Sequence, residues 1–200
     1  MIYLENELKL KERINNEESF KNMRWEISKQ FDFCYGHRVW SQELNQDFSL
    51  DACLMCRHLH GHQGKVVVHL ESTKLQNGMV TDFKHLNWFK KFLDDTIDHK
   101  FIIDIHDPLF STLLPHYSTQ ENLLDMKENY KIPNLDIVQT EDIHIKEMYE
   151  GFIIVDFVPT SENLSAWLLK IVQNKMSEID IKVSHLEYFE TPKSRSVVYS

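Results

Sequence analysis

The sequence predicts an α+β domain in which helices are laid against an antiparallel sheet. Three observations carry that expectation. Residues Trp25, Ile27, Phe31, Phe33, Tyr35 and His37 share one parity, as the packed side of a half-buried strand requires. The run Lys65-Val66-Val67-Val68 is β-branched and apolar, which suits a second strand entered through Gly61 and Gly64. Two later stretches, one opening at Asp82 and one at Thr160 or Ser161, place apolar residues at the spacing of an amphipathic helix.

In chain order, residues 1–23 are polar, rich in Lys, Glu and Asn and partly helical in pattern, and read as an N-terminal extension. Residues 24–200 form the domain. After the first strand, residues 41–55 make a polar loop with Asn45, Asp47, Ser49 and Asp51, and Asn77-Gly78 marks the turn after the second strand. Asp82 is placed to cap a helix whose apolar positions are Phe83, Leu86, Phe89, Leu93 and Ile97, ending near Asp98-His99. Residues 101–150 hold Pro108, Pro115 and Pro133, keep no period, and read as an insertion with one or two short helices. Gly151 to Val158 is a strand stopped by Pro159. The second helix has Glu162 in its first turn and Leu164, Trp167, Leu168, Ile171 and Val172 on one face, a stripe that belongs to a core. A last strand, Ile181 to Glu190, brings Glu190-Thr191 to its end just before Pro192.

With 200 residues, 42% hydrophobic and 12% aromatic, the chain is large and apolar enough for one domain with a substantial core. Its net charge of −9 argues against a bulk electrostatic grip on nucleic acid or on an anionic membrane. An anionic small molecule stays compatible, through local groups. No apolar run approaches the ~20 residues of a membrane span, and the charged N-terminal stretch has no signal-peptide core, so a cytoplasmic location is expected. Cys34, Cys53 and Cys56 are an odd set, against a disulfide framework. Cys53-Leu54-Met55-Cys56 matches a C-x-x-C redox or zinc pattern, but weakly, for want of a second ligand pair at finger spacing.

The stretch from Cys56 to His69 carries the most specific chemistry. His60 and His62 are two apart on a strand and point the same way. Two neutral imidazoles held side by side suit a zinc ion, which takes His nitrogens at about 2.0–2.1 Å and keeps an open position for catalysis. His37 ends the first strand on its packed face, where it is either a hydrogen-bonded core residue or a third ligand. His58 shares the parity of His60 and His62 and is the competing ligand. In Asp98-His99 a carboxylate stands beside an imidazole that it can orient or charge, although a solvated helix end reads the same way.

Taken in order, Phe33-x-x-x-His37-Arg38, Cys56-x-x-x-His60-Gly61-His62, Asp82-Phe83, Asp98-His99, Pro159-Thr160-Ser161-Glu162 and Glu190-Thr191 resemble the 6-pyruvoyltetrahydropterin and 6-carboxytetrahydropterin synthase family of the tunnelling (T-fold) class. The resemblance covers roughly residues 24–100 and 151–200. It implies a T-fold, an antiparallel four-stranded sheet with two helices on one face, here with an insertion at about 101–150. By the same resemblance His37, His60 and His62 hold zinc, Cys56 is the catalytic thiol with Asp98 and His99 as an acid–base pair, and Glu190 with Thr191 anchors the pterin. Zinc would polarise the side-chain hydroxyls of a dihydropterin, and Cys56, made thiolate by nearby positive charge, would move a proton from carbon. Closed homo-oligomers, usually hexamers with sites between subunits, are implied as well.

The short Cys56-to-His60 spacing resembles the carboxy enzymes of the queuosine (7-deazaguanine) pathway rather than the pyruvoyl enzymes. That implies conversion of 7,8-dihydroneopterin triphosphate to 6-carboxy-5,6,7,8-tetrahydropterin, with acetaldehyde and triphosphate released. The extension, the insertion and Gln63 depart from the family pattern. The 6-pyruvoyltetrahydropterin synthase is one alternative, and a zinc-binding relative without turnover is the other. Cys56, Asp98 and His99 speak against it, since holding zinc requires none of them.

Overall fold

The computed structural model describes residues 23–138 and 142–200, so nearly all of the expected N-terminal extension lies outside the described residues. Among the described residues eight strands form one sheet: β1 (Trp25–His37), β2 (His60–Ser72), β3 (Lys100–Asp104), β4 (Leu123–Asp125), β5 (Lys131–Pro133), β6 (Phe152–Val155), β7 (Lys182–Thr191) and β8 (Ser194–Tyr199). Their spatial order is β4-β5-β6-β3-β1-β2-β7-β8. The same described residues form four α-helices: α1 (Asn87–Thr96), α2 (Phe110–Leu113), α3 (Ile143–Glu150) and α4 (Ser161–Ser177).

The sheet is therefore mixed, not the expected four antiparallel strands. The antiparallel block β1-β2-β7-β8 is half of it. β3 runs parallel to β1, and β6 parallel to β3. Parallel strands covered on both faces show no alternation of apolar and polar residues, which is why residues 101–150 seemed to lack a period. In β3, Ile102 packs into one core and Ile103 into the other; in β6, Ile153 and Val155 face the first core, Phe152 and Ile154 the second.

The first core joins β1, β2 and β7 to α1 and α4 through Phe31, Phe33, Val66, Val68, Leu186, Phe89, Leu93, Leu168 and Val172. The two expected helices thus share one face of the sheet. Asp82 does cap its helix, accepting the Lys84 N–H, but the first turn is a short 3-10 segment (Phe83–Leu86) before α1 begins. Thr160 caps α4 by accepting the Asn163 N–H. The second core holds Phe110, Leu114, Tyr117, Leu123, Val138 and Tyr149, so much of the expected insertion wraps its own apolar cluster against the far side of β3 and β6. β8 was not anticipated, because Pro192 reads as a stop. The chain instead turns through Pro192-Lys193, and Thr191 pairs with Ser194.

Candidate metal centre

Strand register brings the three imidazoles together. In the β1–β2 ladder His37 lies directly opposite His60, Gly36 opposite Gly61 and Tyr35 opposite His62. Opposed residues share a face of the sheet, and so do residues two apart, so His37, His60 and His62 converge. Their ring centroids are 4.6, 4.9 and 5.1 Å apart. The Gly36–Gly61 pair keeps this corner narrow: a Cβ on Gly61 would stand 2.9 Å from the Tyr35 carbonyl oxygen.

The rings are oriented from behind. His37 Nδ1 lies 2.7 Å from the Pro159 carbonyl oxygen, and His60 Nδ1 2.8 Å from that of His58. A carbonyl only accepts, so both Nδ1 atoms carry the proton and both Nε2 atoms present bare lone pairs. Nε2 of His37 and Nε2 of His62 are buried with no hydrogen-bond partner. Burial, with the neighbouring imidazoles, pushes the His37 pKa down to about 4, and burial also lowers that of His62. These rings stay neutral, as metal ligands must. One ligand atom from each of the three lies within 4.8 Å of the others, so the donor set fits a metal ion.

The Glu190 carboxylate closes the cluster, with Oε1 3.4 Å from His37 Nε2 and 3.7 Å from His62 Nε2. A carboxylate facing the bare Nε2 of His37 is stable only with a cation or a proton close by. Glu190 sits where the β7–β8 register shifts between Phe189 and Thr191, an irregularity of the kind that re-aims a side chain. Thr191 Oγ1 accepts the N–H groups of Lys193 and Ser194 and so shapes the turn.

Cys56 lies in a 3-10 turn (Met55–Arg57) ahead of β2, as its position before the strand led one to expect. Val39 N–H donates to its carbonyl (2.7 Å) and its own N–H donates to Gln42 Oε1 (2.9 Å). The thiol is half-buried. Burial raises its pKa, and the Glu190 charge raises it further. Among the described residues no side chain supplies the expected positive neighbour; a cation among the histidines would have to do so.

Asp98 and His99 lie elsewhere. Asp98 Oδ1 accepts the Cys34 N–H at 2.7 Å, which holds its carboxyl below the usual range, and His99 N–H donates to the Cys34 carbonyl. Both bonds are made to the Cys34 peptide, so the pair is anchored on the edge of β1 that β3 adjoins, three residues before His37. His99 is 81% exposed and turns back onto Asp98, with Nδ1 3.0 Å from Oδ2. His58 is exposed and outside the strand, and contributes its carbonyl rather than its ring.

A second group, Glu26, His69 and His185, also brings three ligand atoms within 4.8 Å. Here the two rings stack at 3.8 Å with an interplanar angle of 17°, and near-parallel planes cannot both contain one ion. His69 instead bridges two carboxylates, with Nδ1 3.2 Å from Glu26 Oε1 and Nε2 2.9 Å from Glu187 Oε1. It is a hydrogen-bonded stack.

The profile of the family described as 6-pyruvoyl tetrahydropterin synthase matches residues 26–200. The chain belongs to that family. A member from Aquifex aeolicus, 6-carboxy-5,6,7,8-tetrahydropterin synthase, is 30% identical over 184 residues, 87% of this chain and 97% of its own length. A crystal structure of a protein of uncharacterised function from Wolinella succinogenes is 58% identical with a TM-score of 0.88, covering 90% of this chain and 99% of that one. The Plasmodium vivax 6-pyruvoyl tetrahydropterin synthase, at 15% identity and a TM-score of 0.52 over 90% of this chain and 99% of its own, shares the fold.

Within the family's motifs, Pro159 had a signal that sequence reasoning left unused: its carbonyl holds the His37 ring. Gln42 had none, since a glutamine in a polar loop predicts no particular partner.

Proposed function

We propose that the chain is a zinc-dependent 6-carboxy-5,6,7,8-tetrahydropterin synthase acting on 7,8-dihydroneopterin triphosphate in 7-deazaguanine biosynthesis. The observation that carries this reading is the trio of converging imidazoles, two of them oriented by backbone carbonyls, with Glu190 and Cys56 beside them. Support also comes from the relative of nearly equal length that bears the carboxy enzyme's name.

His37, His60 and His62 hold the ion, which when bound supplies a Lewis acid for the substrate's side-chain oxygens and a positive charge that lowers the Cys56 pKa. Glu190 offers two acceptor oxygens to the N–H edge of the pterin and fixes it beside the ion. Cys56 stands at the mouth of the site and moves a proton at substrate carbon. Asp98 and His99 are the acid–base pair. Anchored to Cys34, they serve a site built with a second copy of the chain rather than their own.

Free strand edges favour such an assembly. β8 ends the sheet, and β3 covers only Tyr35–His37 of β1, so among the described residues no strand runs beside residues 26–32 on that side. We expect a closed homo-oligomer, and a monomer by light scattering at micromolar concentration would refute it.

The test is incubation of zinc-loaded protein with 7,8-dihydroneopterin triphosphate and product identification by mass spectrometry. The reading requires the carboxy pterin with acetaldehyde. A pyruvoyl pterin without acetaldehyde overturns the product assignment, and no turnover leaves a metal-binding relative.

A further inference from the structure

The loop that carries Cys56 is braced by the end of β3 and the residues just past it. β3 lies beside the last residues of β1, and past that pairing two buried carboxylates catch the chain leaving His37. Trp40 Nε1 donates to Asp104 Oδ2 at 2.9 Å, and Arg38 Nε lies 3.2 Å from Asp107 Oδ2. Arg38, Asp104 and Asp107 are 8%, 2% and 4% exposed. The carboxylates are fixed in turn, Asp104 Oδ1 accepting the His106 N–H and Asp107 Oδ1 the Leu109 N–H.

Val39, between the two braced residues, is the one whose N–H holds the Cys56 carbonyl. Gln42 N–H donates to the Val39 carbonyl, and the Gln42 side chain takes the Cys56 N–H. The Gln42 carbonyl accepts from Arg57 Nε at 2.9 Å and from a terminal guanidinium nitrogen. Both peptide groups of Cys56 therefore hang on residues 39 and 42. The path from Asp104 to the thiol runs through hydrogen bonds and the chain itself, while Arg38 and Asp107 are joined by opposite charge at 3.2 Å without an aligned hydrogen bond.

We propose that Asp104 and Asp107, through Trp40 and Arg38, are positioning residues that fix Cys56 over the three-histidine centre. This rests on the proposed function for its kinetic consequence, but the placement of the thiol can be read without any substrate. The physical reason for such a brace is local. The turn carrying Cys56 buries none of its own residues, so packing does not hold it and hydrogen bonds must. Surface loops held this way move when one anchor is lost, and a misplacement of ~1 Å at a reacting group costs roughly 10²-fold in rate.

The experiment uses full-length, zinc-loaded protein carrying Trp40→Phe, Asp104→Ala or Asp107→Asn. The rate of iodoacetamide alkylation at Cys56 is followed by peptide mass spectrometry, with Cys34 in the same molecule as the internal standard. We expect faster alkylation of Cys56 relative to Cys34, one zinc per chain as in the wild type, and a lower kcat at unchanged KM. Trp40→Phe removes one donor and keeps the ring, so it decides the matter if a carboxylate variant does not fold. An unchanged Cys56 rate in folded, zinc-loaded Trp40→Phe overturns the proposal, whatever happens to kcat. Absence of synthase activity in the wild type would refute the proposed function, while the alkylation rates still test the brace.

Discussion

Metal-free protein should lose stability as the pH falls below neutrality, and His37 should account for a measurable share of the loss. The ring is fully buried, its Nδ1 held by Pro159, its Nε2 facing two other imidazoles. A folded pKa of about 4 against an ordinary 6.5 means that between those values the unfolded chain binds a proton the folded chain refuses. Stability therefore rises with pH through that window, is fully present above about pH 7, and is lost as the pH drops. From a folded value of about 4 and an unfolded value of 6.5, the loss between about pH 7.5 and about pH 5 is about 2 kcal/mol. With a urea m-value of about 1–3 kcal/mol/M, the unfolding midpoint should fall by about 1 M from this residue. The assay is urea unfolding of chelator-treated protein at the two pH values and one protein concentration, since an oligomer's midpoint depends on concentration. His37→Gln keeps a polar side chain but removes the titration, so its midpoint should shift less with pH by that amount. Equal pH shifts in wild type and His37→Gln would refute the reasoning.

Two further outcomes follow from the same geometry. Cys56→Ala should keep zinc and fold while turnover drops by roughly 10²–10⁴, the range for losing a general acid–base group, and Cys53→Ala should change little; near-normal turnover or lost zinc in Cys56→Ala would contradict the role given to the thiol. Gly61→Ala drives a Cβ to 2.9 Å from the Tyr35 carbonyl oxygen, so it should part β1 from β2 at the site and weaken zinc binding measured by competition with a chromogenic chelator, and unchanged affinity would count against the register argument.

The parts of this protein legible in its sequence are those with a one-sided environment. β1 and β2 alternate because one face is packed and the other is not, so the positions of His37, His60 and His62 could be read residue by residue. Caps at Asp82 and Thr160 were legible because their side chains compete for backbone N–H groups in a fixed way. β6 was legible as an apolar run before Pro159, whereas β3 carries apolar residues toward two cores, shows no period and so made residues 101–150 look like a simple insertion. At the site, residue types announced the candidate ligands but not the groups that aim them. The Pro159 and His58 carbonyls, like the Gln42 side chain on Cys56, act through backbone geometry that residue identity does not encode.

The most direct test of the central claim is the zinc K-edge absorption spectrum of the wild-type holoprotein, taken with its zinc content. Three imidazoles and an open position predict one zinc per chain with nitrogen and oxygen neighbours only, at about 2.0–2.1 Å, and the multiple-scattering pattern of histidine rings. A sulfur neighbour at about 2.3 Å would make Cys56 a ligand and remove it from the chemistry, and a spectrum without histidine scattering would show that His37, His60 and His62 do not hold the metal.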